Sequence, residues 1–548
     1  MKRQAEGLKG VAYPMKKSVK AVSALLTSAL IIGAAGCGGG GRTPAAGGNG
    51  GGDAAGGAET AATSAVTTTE DPNKAIDTEV NFEDLANIDE VDTQNEEGAG
   101  KLYESGKTAG VCHVLSWFDF TQIQPEKDIA ELYATRFGGT VETEIVGSTE
   151  VVERLGVLMQ SGQSPDIMRM GDDYFPSYFI NNRFMPMDDW LDINSPVWSG
   201  IGDVIERYSY NGKHYYWPYA VTATEYGVTY CTAEIENIGG TDPMDLYFSG
   251  EWTWDAFEDL MLKWKNFNTD KYPLSMPESL GLQLAATTGV PAIEFKGNEI
   301  INNMKDKNVM RAMDFIEKIA REELIWEGWH GPDGLDSWTG TLFFVMPLDW
   351  ALPCGQEIWF KNNFEGEIRT VPMPRDPNSD TYYMYGATSG YVVPAGALNP
   401  QGAASFLLAS RMYATDPDVI EKTREEKLYN GGYYYIKCPE CKHEFESERD
   451  EVGAVCPECN TPRKAKWKLT YTPEQMQVYD DLVDTSKFTF VFDCHRGFGV
   501  DTRQNIIDIF DLPAKGTESY NQMLDEYYNV VEAVFDSYRA TIKEAANA

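Results

Sequence analysis

Two pairs of cysteines carry metal-ligand spacing: Cys438-Pro439-Glu440-Cys441 and Cys456-Pro457-Glu458-Cys459. Each C-x-x-C turn aims two thiolates at one ion, and two such turns complete a tetrahedral site with no open position. A closed four-thiolate site is structural rather than catalytic. Zinc is the expected ion, with iron less favoured. In an oxidising compartment the same thiols have a second option, disulfides. His443 lies in the spacer and is surplus to such a site. Cys112, Cys231, Cys354 and Cys494 are scattered and read as buried thiols. The chain has 5 histidines and no H-E-x-x-H, so a histidine-ligated catalytic zinc has little material.

A second group of chemically useful residues sits at the ends of apolar runs. Val111 to Ser116 reads as a buried strand, Glu126 to Phe137 as a helix stopped by Gly138 and Gly139, and Val141 to Val146 as a strand. Ser148 or Thr149 can cap a helix whose apolar residues Val151, Val152, Leu155, Leu158 and Met159 share a face, with Gly162 ending it. Asp166 to Met170 reads as a third strand. The order β-α-β-α-β signals a parallel sheet, in which ligands bind outside the carboxyl ends of the strands. Trp117 and Asp119 after the first strand, and Asp172 and Tyr174 after the third, fall at that edge.

The front of the chain addresses location. Lys16, Lys17 and Lys20 precede an apolar run from Ala21 to Ile32 and the small residues Gly33 to Gly36. This is the three-part layout of a secretory signal, too short for a span of roughly 20 apolar residues. Met1 and Met15 are both possible starts. Cys37 follows directly, and the junction resembles a bacterial lipobox, although Ala34 stands where that motif usually has Leu. The resemblance implies a diacylglycerol anchor on Cys37. From Gly38 to about Ala65 the chain is mostly Gly and Ala, then acidic from Glu70 to Glu97, the composition of a flexible tether. The expected layout is signal 1–36, tether 37–105 and folded body 106–548.

That body is too long for one core, since single cores stop growing near about 250–300 residues, and two lobes are expected. A net charge of −38 argues against nucleic acid, which needs clustered Lys and Arg, and against anionic headgroups. Contact with the membrane is expected through the lipid alone.

A family pattern runs through the body. Gly162-Gln163-Ser164-Pro165-Asp166-Ile167, Phe184-Met185-Pro186-Met187-Asp188-Asp189-Trp190, and Tyr210-Asn211-Gly212-Lys213-His214-Tyr215-Tyr216-Trp217-Pro218-Tyr219 follow one another. Trp252-Thr253-Trp254-Asp255-Ala256-Phe257, Gly340 to Met346 with Asp349-Trp350, Gly390 to Pro394 and Asn399 to Ala404 complete the series. In this order they resemble family 1 extracellular solute-binding proteins. The resemblance implies an α/β, two-lobed periplasmic-binding-protein-like clamshell (type II), hinged near Trp217 to Thr224 and monomeric. It implies capture of a carbohydrate, best suited to an oligosaccharide, and delivery to an ABC transporter permease at the outer face of the cell membrane. Trp117, Asp119, Asp172, Tyr174, Tyr219 and Trp350 are the cleft candidates, because sugars stack C–H faces on rings and bond hydroxyls to carboxylates. Trp252 and Trp254 read instead as packing a helix start, and Asp166 as making local hydrogen bonds. The cysteine knuckles resemble a zinc ribbon inserted at 431–470, with flanking strands Gly431 to Lys437 and Ala465 to Leu469. A long C-terminal helix from Glu518 to about Ala545 should pack through Leu524, Tyr528, Val531 and Val534. A surface glycoside hydrolase built on paired carboxylates, and a clamshell sensor or adhesion lipoprotein without a transporter, are the alternatives.

Overall fold

The computed structural model describes residues 109–169, 174–222, 226–275, 280–326, 341–347, 368–428, 433–437, 441, 444–448, 456, 458–460, 473–484 and 486–547. Cys37, the tether, Asp172, Trp350, Cys354, Cys438 and the segment 465–469 lie outside them.

The first lobe opens as its apolar runs and glycine stops dictate: β1 (Val111–Ser116), α1 (Glu126–Phe137), β2 (Thr140–Ile145), α2 (Val151–Ser161) and β3 (Ile167–Arg169). β1 pairs parallel with both β2 and β3. Gly138 and Gly162 end their helices in the left-handed conformation, where a Cβ would be strained. Glu150 rather than Ser148 or Thr149 stands at the start of α2, without a side-chain cap. Val151, Leu155 and Leu158 are buried as the periodicity requires, whereas Val152 points outward, 43% exposed. α3 (Ser177–Ile180), α4 (Gly202–Arg207) and a hairpin of β4 (Ser209–Tyr210) and β5 (Lys213–His214) lead into β6 (Tyr216–Thr222).

The chain then crosses to the second lobe. There run β7 (Tyr226–Cys231), α5 (Thr232–Asn237), α6 (Pro243–Ser249), α7 (Trp254–Phe267), β8 (Leu274–Ser275) and α8 (Leu280–Ala286). A hairpin of β9 (Ile293–Lys296) and β10 (Glu299–Asn302), then α9 (Lys307–Arg321), β11 (Ile325–Trp326), β12 (Phe343–Pro347) and β13 (Ile368–Pro372), come next. Trp252 and Trp254 are buried, with Trp252 Nε1 donating to the Pro372 carbonyl at 2.8 Å. After β14 (Tyr383–Tyr385) the chain returns through β15 (Ala387–Val392), α10 (Pro400–Thr415) and α11 (Pro417–Leu428). The strands β16 (Tyr433–Lys437) and β17 (Glu444–Glu448), α12 (Pro473–Val483), β18 (Thr489–Val491), α13 (Val500–Ala514) and α14 (Tyr520–Ala546) complete it.

Two open five-stranded sheets result, β2-β1-β3-β15-β6 and β11-β8-β12-β7-β13. The first lobe is therefore assembled from two stretches of chain far apart in sequence. Asp166 joins them: its Oδ2 accepts from His113 N–H at 2.9 Å, and its Oδ1 accepts from Asn399 N–H. Asn399 caps α10, accepting from Gly402 N–H at 2.9 Å and donating to the Ala109 and Val111 carbonyls at 2.8 and 2.9 Å. Arg411, further along α10 and fully buried, donates to the carbonyls of Val197, Tyr219 and Ser199 at 3.0, 2.9 and 2.8 Å. The C-terminal helix is capped by Ser519 and buries Met523, Leu524, Val531 and Phe535, while Tyr528 and Val534 are half-buried. β16 pairs antiparallel with β17, on either side of Cys441.

His214 ties β5 to its surroundings, its Nδ1 2.8 Å from Asp188 Oδ1 and its Nε2 3.0 Å from Glu206 Oε2. The hydrogen bond to Asp188 raises the imidazole above its ordinary value, against burial, and Glu206 adds to the rise. Burial pushes Asp188 up, but the side-chain and backbone hydrogen bonds from His214 outweigh it and hold the carboxyl low. A raised histidine contributes stability that is complete below its unfolded value of about 6.5 and disappears as pH rises through the folded value. H214A should lose roughly 1.5–3 kcal/mol at pH 6, the range for hydrogen bonds to charged groups. The gap from wild type should narrow at pH 9; urea unfolding at both pH values checks it, and a gap independent of pH counts against the charged bridge.

Candidate functional site

Strand directions identify the edges that face each other. Register pairs Leu115 with Met168, one residue short of the carboxyl ends of β1 and β3, and pairs Thr222 at the end of β6 with Ala387 at the start of β15. In the second lobe Tyr226 pairs with Pro347, Phe344 with Ser275, and Trp326 with Ser275. The chain leaves the first sheet after β6 and re-enters it at β15, so both crossings join these two edges. These edges carry the loop after Ser116 and the end of β3 at Arg169 on one side, and Tyr226, Ser275 and Trp326 on the other.

Trp117 stands where the sequence places it, directly after β1 and half-buried. Its ring meets Phe118 edge-on at 5.6 Å, and its Nε1 is buried with no hydrogen-bond partner among the described residues. Asp119 is half-buried and accepts from Thr121 N–H and Oγ1–H at 2.9 and 2.8 Å, so part of its capacity fixes the loop. Tyr174 and Tyr219 are core residues. Tyr174 is 8% exposed and packs edge-on against Tyr178 and Phe184 at 5.1 and 6.0 Å. Tyr219 is 1% exposed and stacks on Tyr391 at 5.5 Å, because the face of β6 that carries it turns toward α10. Asp172 and Trp350 lie outside the described residues.

Three edge residues are not among the sequence candidates. Tyr226 opens β7 and Trp326 closes β11, both half-buried. Arg169, at the end of β3, forms a buried ion pair with Glu126, Nη1 to Oε1 3.1 Å. Burial pushes Glu126 up, and Arg169, a backbone hydrogen bond and Tyr391 pull it partly back. A buried pair of this kind is a weak source of stability, since desolvation offsets attraction. It fixes the first turn of α1 against the end of β3, and with it the far end of the loop bearing Trp117 and Asp119.

A separate cluster gathers the sulfur atoms of Cys441, Cys456 and Cys459, all within 4.8 Å of one another. Cys441 and Cys456 approach to 3.5 Å, with Cys456 buried and the other two exposed. Tetrahedral thiolates about 2.3 Å from zinc lie roughly 3.8 Å apart, whereas a disulfide needs about 2.05 Å. The spacing fits ligands around an ion. Cys112, Cys231 and Cys494 are buried thiols, and burial raises the first two, Cys112 strongly.

No helix among the described residues is long and apolar enough to cross a membrane. The sequence profile of the family described as bacterial extracellular solute-binding protein matches residues 128–425. Among curated proteins no sequence match is found. Among solved structures, the sugar-binding protein MalE of the phytopathogen Xanthomonas citri is similar with a TM-score of 0.54 at 13% identity, covering 79% of this chain and 99% of its own. A protein of Listeria monocytogenes EGD-e matches with a TM-score of 0.54 at 13% identity, over 78% of this chain and 100% of its own. A cyclo/maltodextrin-binding protein complexed with maltotetraose gives 0.50 at 14% identity, over 79% of this chain and 98% of its own. With more than half its length inside the family profile and two open α/β sheets joined at facing edges, this chain belongs to the bacterial extracellular solute-binding proteins, which bind their substrates and do not transform them.

Proposed function

We propose that this protein is the lipid-anchored capture component of an ABC importer and closes its two lobes on a carbohydrate, most naturally an oligosaccharide. The observation that carries the proposal is the placing of half-buried indole and phenol rings on both facing edges: Trp117 on one, Tyr226 and Trp326 on the other. Rings on both sides let a sugar stack against each lobe, so that the ligand stabilises the closed state by touching both. The sugar-binding and maltodextrin-binding descriptions of two proteins with this fold support carbohydrate as the class. Asp119 and Asp172 would supply acceptors for hydroxyls.

A thermal-shift screen with mono- and oligosaccharides, amino acids and peptides tests the class. A ligand at 100 times its Kd stabilises the native state by about 2.7 kcal/mol. Oligosaccharides should raise the melting temperature and remain intact; stabilisation by peptides alone contradicts the proposal. W117A and W326A should each weaken binding of the stabilising sugar by more than about 2 kcal/mol, the scale of truncating a central aromatic. Wild-type affinity in both would remove the edges from the site.

Two cysteine features complete this reading. Cys441, Cys456 and Cys459, with Cys438, would hold one structural zinc, with iron the lesser choice, in a ribbon inserted between α11 and α12. Thiolate ligation supplies roughly 10–16 kcal/mol of apparent binding energy at neutral pH, enough to fold a small ribbon with few apolar residues. Elemental analysis should find one zinc per chain, lost in C456S/C459S together with protease resistance of the ribbon. Metal-free wild type with both pairs oxidised contradicts it. Cys37 would carry the lipid, so C37A should release the protein into the medium; unchanged membrane retention opposes the anchor.

A further inference from the structure

The thiol cluster is built for a second chemistry besides metal ligation. Cys441 and Cys456 belong to different knuckles, yet their sulfur atoms are 3.5 Å apart, with Cys459 within 4.8 Å of both. A disulfide needs about 2.05 Å, so a small closing movement bonds the first pair. Exposure divides its members by role. Cys441 is exposed, whereas Cys456 is buried, 2% exposed. A dissolved oxidant can reach the first sulfur, and the second meets only its neighbours.

The second knuckle is set firmly. Asn460 N–H donates to the Cys456 carbonyl at 2.8 Å and closes the turn. Asn460 itself has a φ of 56°, in the left-handed region that asparagine tolerates. The first knuckle continues from β16, whose pairing with β17 holds the chain on either side of Cys441. The two sulfurs are therefore brought together by two independent pieces of backbone.

The insertion is clamped at its base. Arg424 on α11 reaches Asp480 on α12, Nε to Oδ1 3.1 Å and Nη2 to Oδ2 3.3 Å. α12 is tied in turn to the second lobe. Asp481 Oδ2 accepts from Tyr247 O–H at 3.0 Å, and Gln475 Nε2 donates to the Ile368 carbonyl at 2.6 Å. The chain leaves and rejoins the body at neighbouring helices, and this clamp stands between the ribbon and the sheets.

We infer that Cys441 and Cys456 form an oxidation-sensitive pair that, on meeting hydrogen peroxide, joins the two knuckles by a disulfide and discharges the bound ion. The Cys441 thiolate attacks one peroxide oxygen, forming an S–O bond as the O–O bond breaks and hydroxide leaves. The Cys456 thiolate then attacks the Cys441 sulfur, forming the S–S bond as the S–O bond breaks and a second hydroxide leaves. Two electrons pass from the sulfurs to the peroxide, and two protons from the medium neutralise the hydroxides. Zinc keeps two of its four thiolates and is released. A protein of an extracellular family works without the glutathione and thioredoxin that keep such thiols reduced in the cytosol. Release of zinc rests on the metal site proposed above; the pairing of the two sulfurs does not.

The test uses the full chain, purified in reductant, freed of it and titrated with hydrogen peroxide. Free thiols are then alkylated and the peptides mapped. Cys441 should be found joined to Cys456, and a chromogenic chelator should register one zinc released per disulfide. Dithiothreitol with added zinc should reverse both changes. The main thermal unfolding transition should stay in place, because the Arg424–Asp480 clamp separates the ribbon from the sheets. Disulfides within the knuckles overturn the pair, as do Cys441 and Cys456 still free after excess peroxide, or Cys441 advanced to a sulfinic acid beside a free Cys456. Zinc retained after the disulfide forms overturns the discharge. A lowered main transition overturns the confinement to the ribbon. Reduced protein without zinc strikes the metal reading and leaves the mapping to decide the pair.

Discussion

Everything in this fold depends on β15 inserting antiparallel between β3 and β6. Its residues pair from Ala387 with Thr222 to Val392 with Tyr216, and Tyr391 pairs with Arg169 on the other side. The strand leaving the first sheet and the strand returning to it are thereby hydrogen-bonded at the crossing itself. The two lobes are thus linked through adjacent, hydrogen-bonded strands. The same insertion brings α10 back onto the first lobe, where Asp166, Asn399 and the buried Arg411 bind it to segments more than a hundred residues earlier. Without that closure the parallel strands β1 and β3 would present no fixed edge to a ligand.

Rotation about the crossing is useful only if open and closed arrangements are close in free energy. In the proposed capture, groups on the facing edges would favour closure when a ligand fills them. The thiol cluster is a third structural element, placed between α11, whose Lys422 reaches Asp128 on α1 at 3.5 Å, and α12, whose Gln475 donates to the Ile368 carbonyl on β13. In sequence the thiol cluster therefore falls between two helices that contact different lobes.

Local signals make the first lobe legible in the sequence. Val111–Ser116 and Glu126–Phe137 have the boundaries expected from an apolar run and a pair of glycines, and Asn211-Gly212 announces its hairpin. Long-range facts are less legible. Tyr219 lies on the face of β6 that meets Tyr391, a partner that arrives only with the return strand. Tyr174 enters an aromatic cluster built from Tyr178 and Phe184, and nothing in its own neighbourhood distinguishes that from a cleft. Trp326 escapes a reading of the sequence because β11 is two residues long and carries no readable period. Spacing alone puts Val152 on the buried face of α2, yet it sits outward because neighbouring Val151, Leu155 and Leu158 define the packed stripe.

Closure of two lobes on a carbohydrate that leaves unaltered is what separates a capture protein from a hydrolase built on the same surface. The distance between the lobes reports it, read by spin labels placed one on each, with and without a saturating oligosaccharide from the screen, followed by chromatography of the recovered sugar. A capture protein gives a shorter, narrower distance distribution with ligand and full recovery of intact sugar. An unchanged distance at saturation, or a cleaved sugar, would contradict that reading.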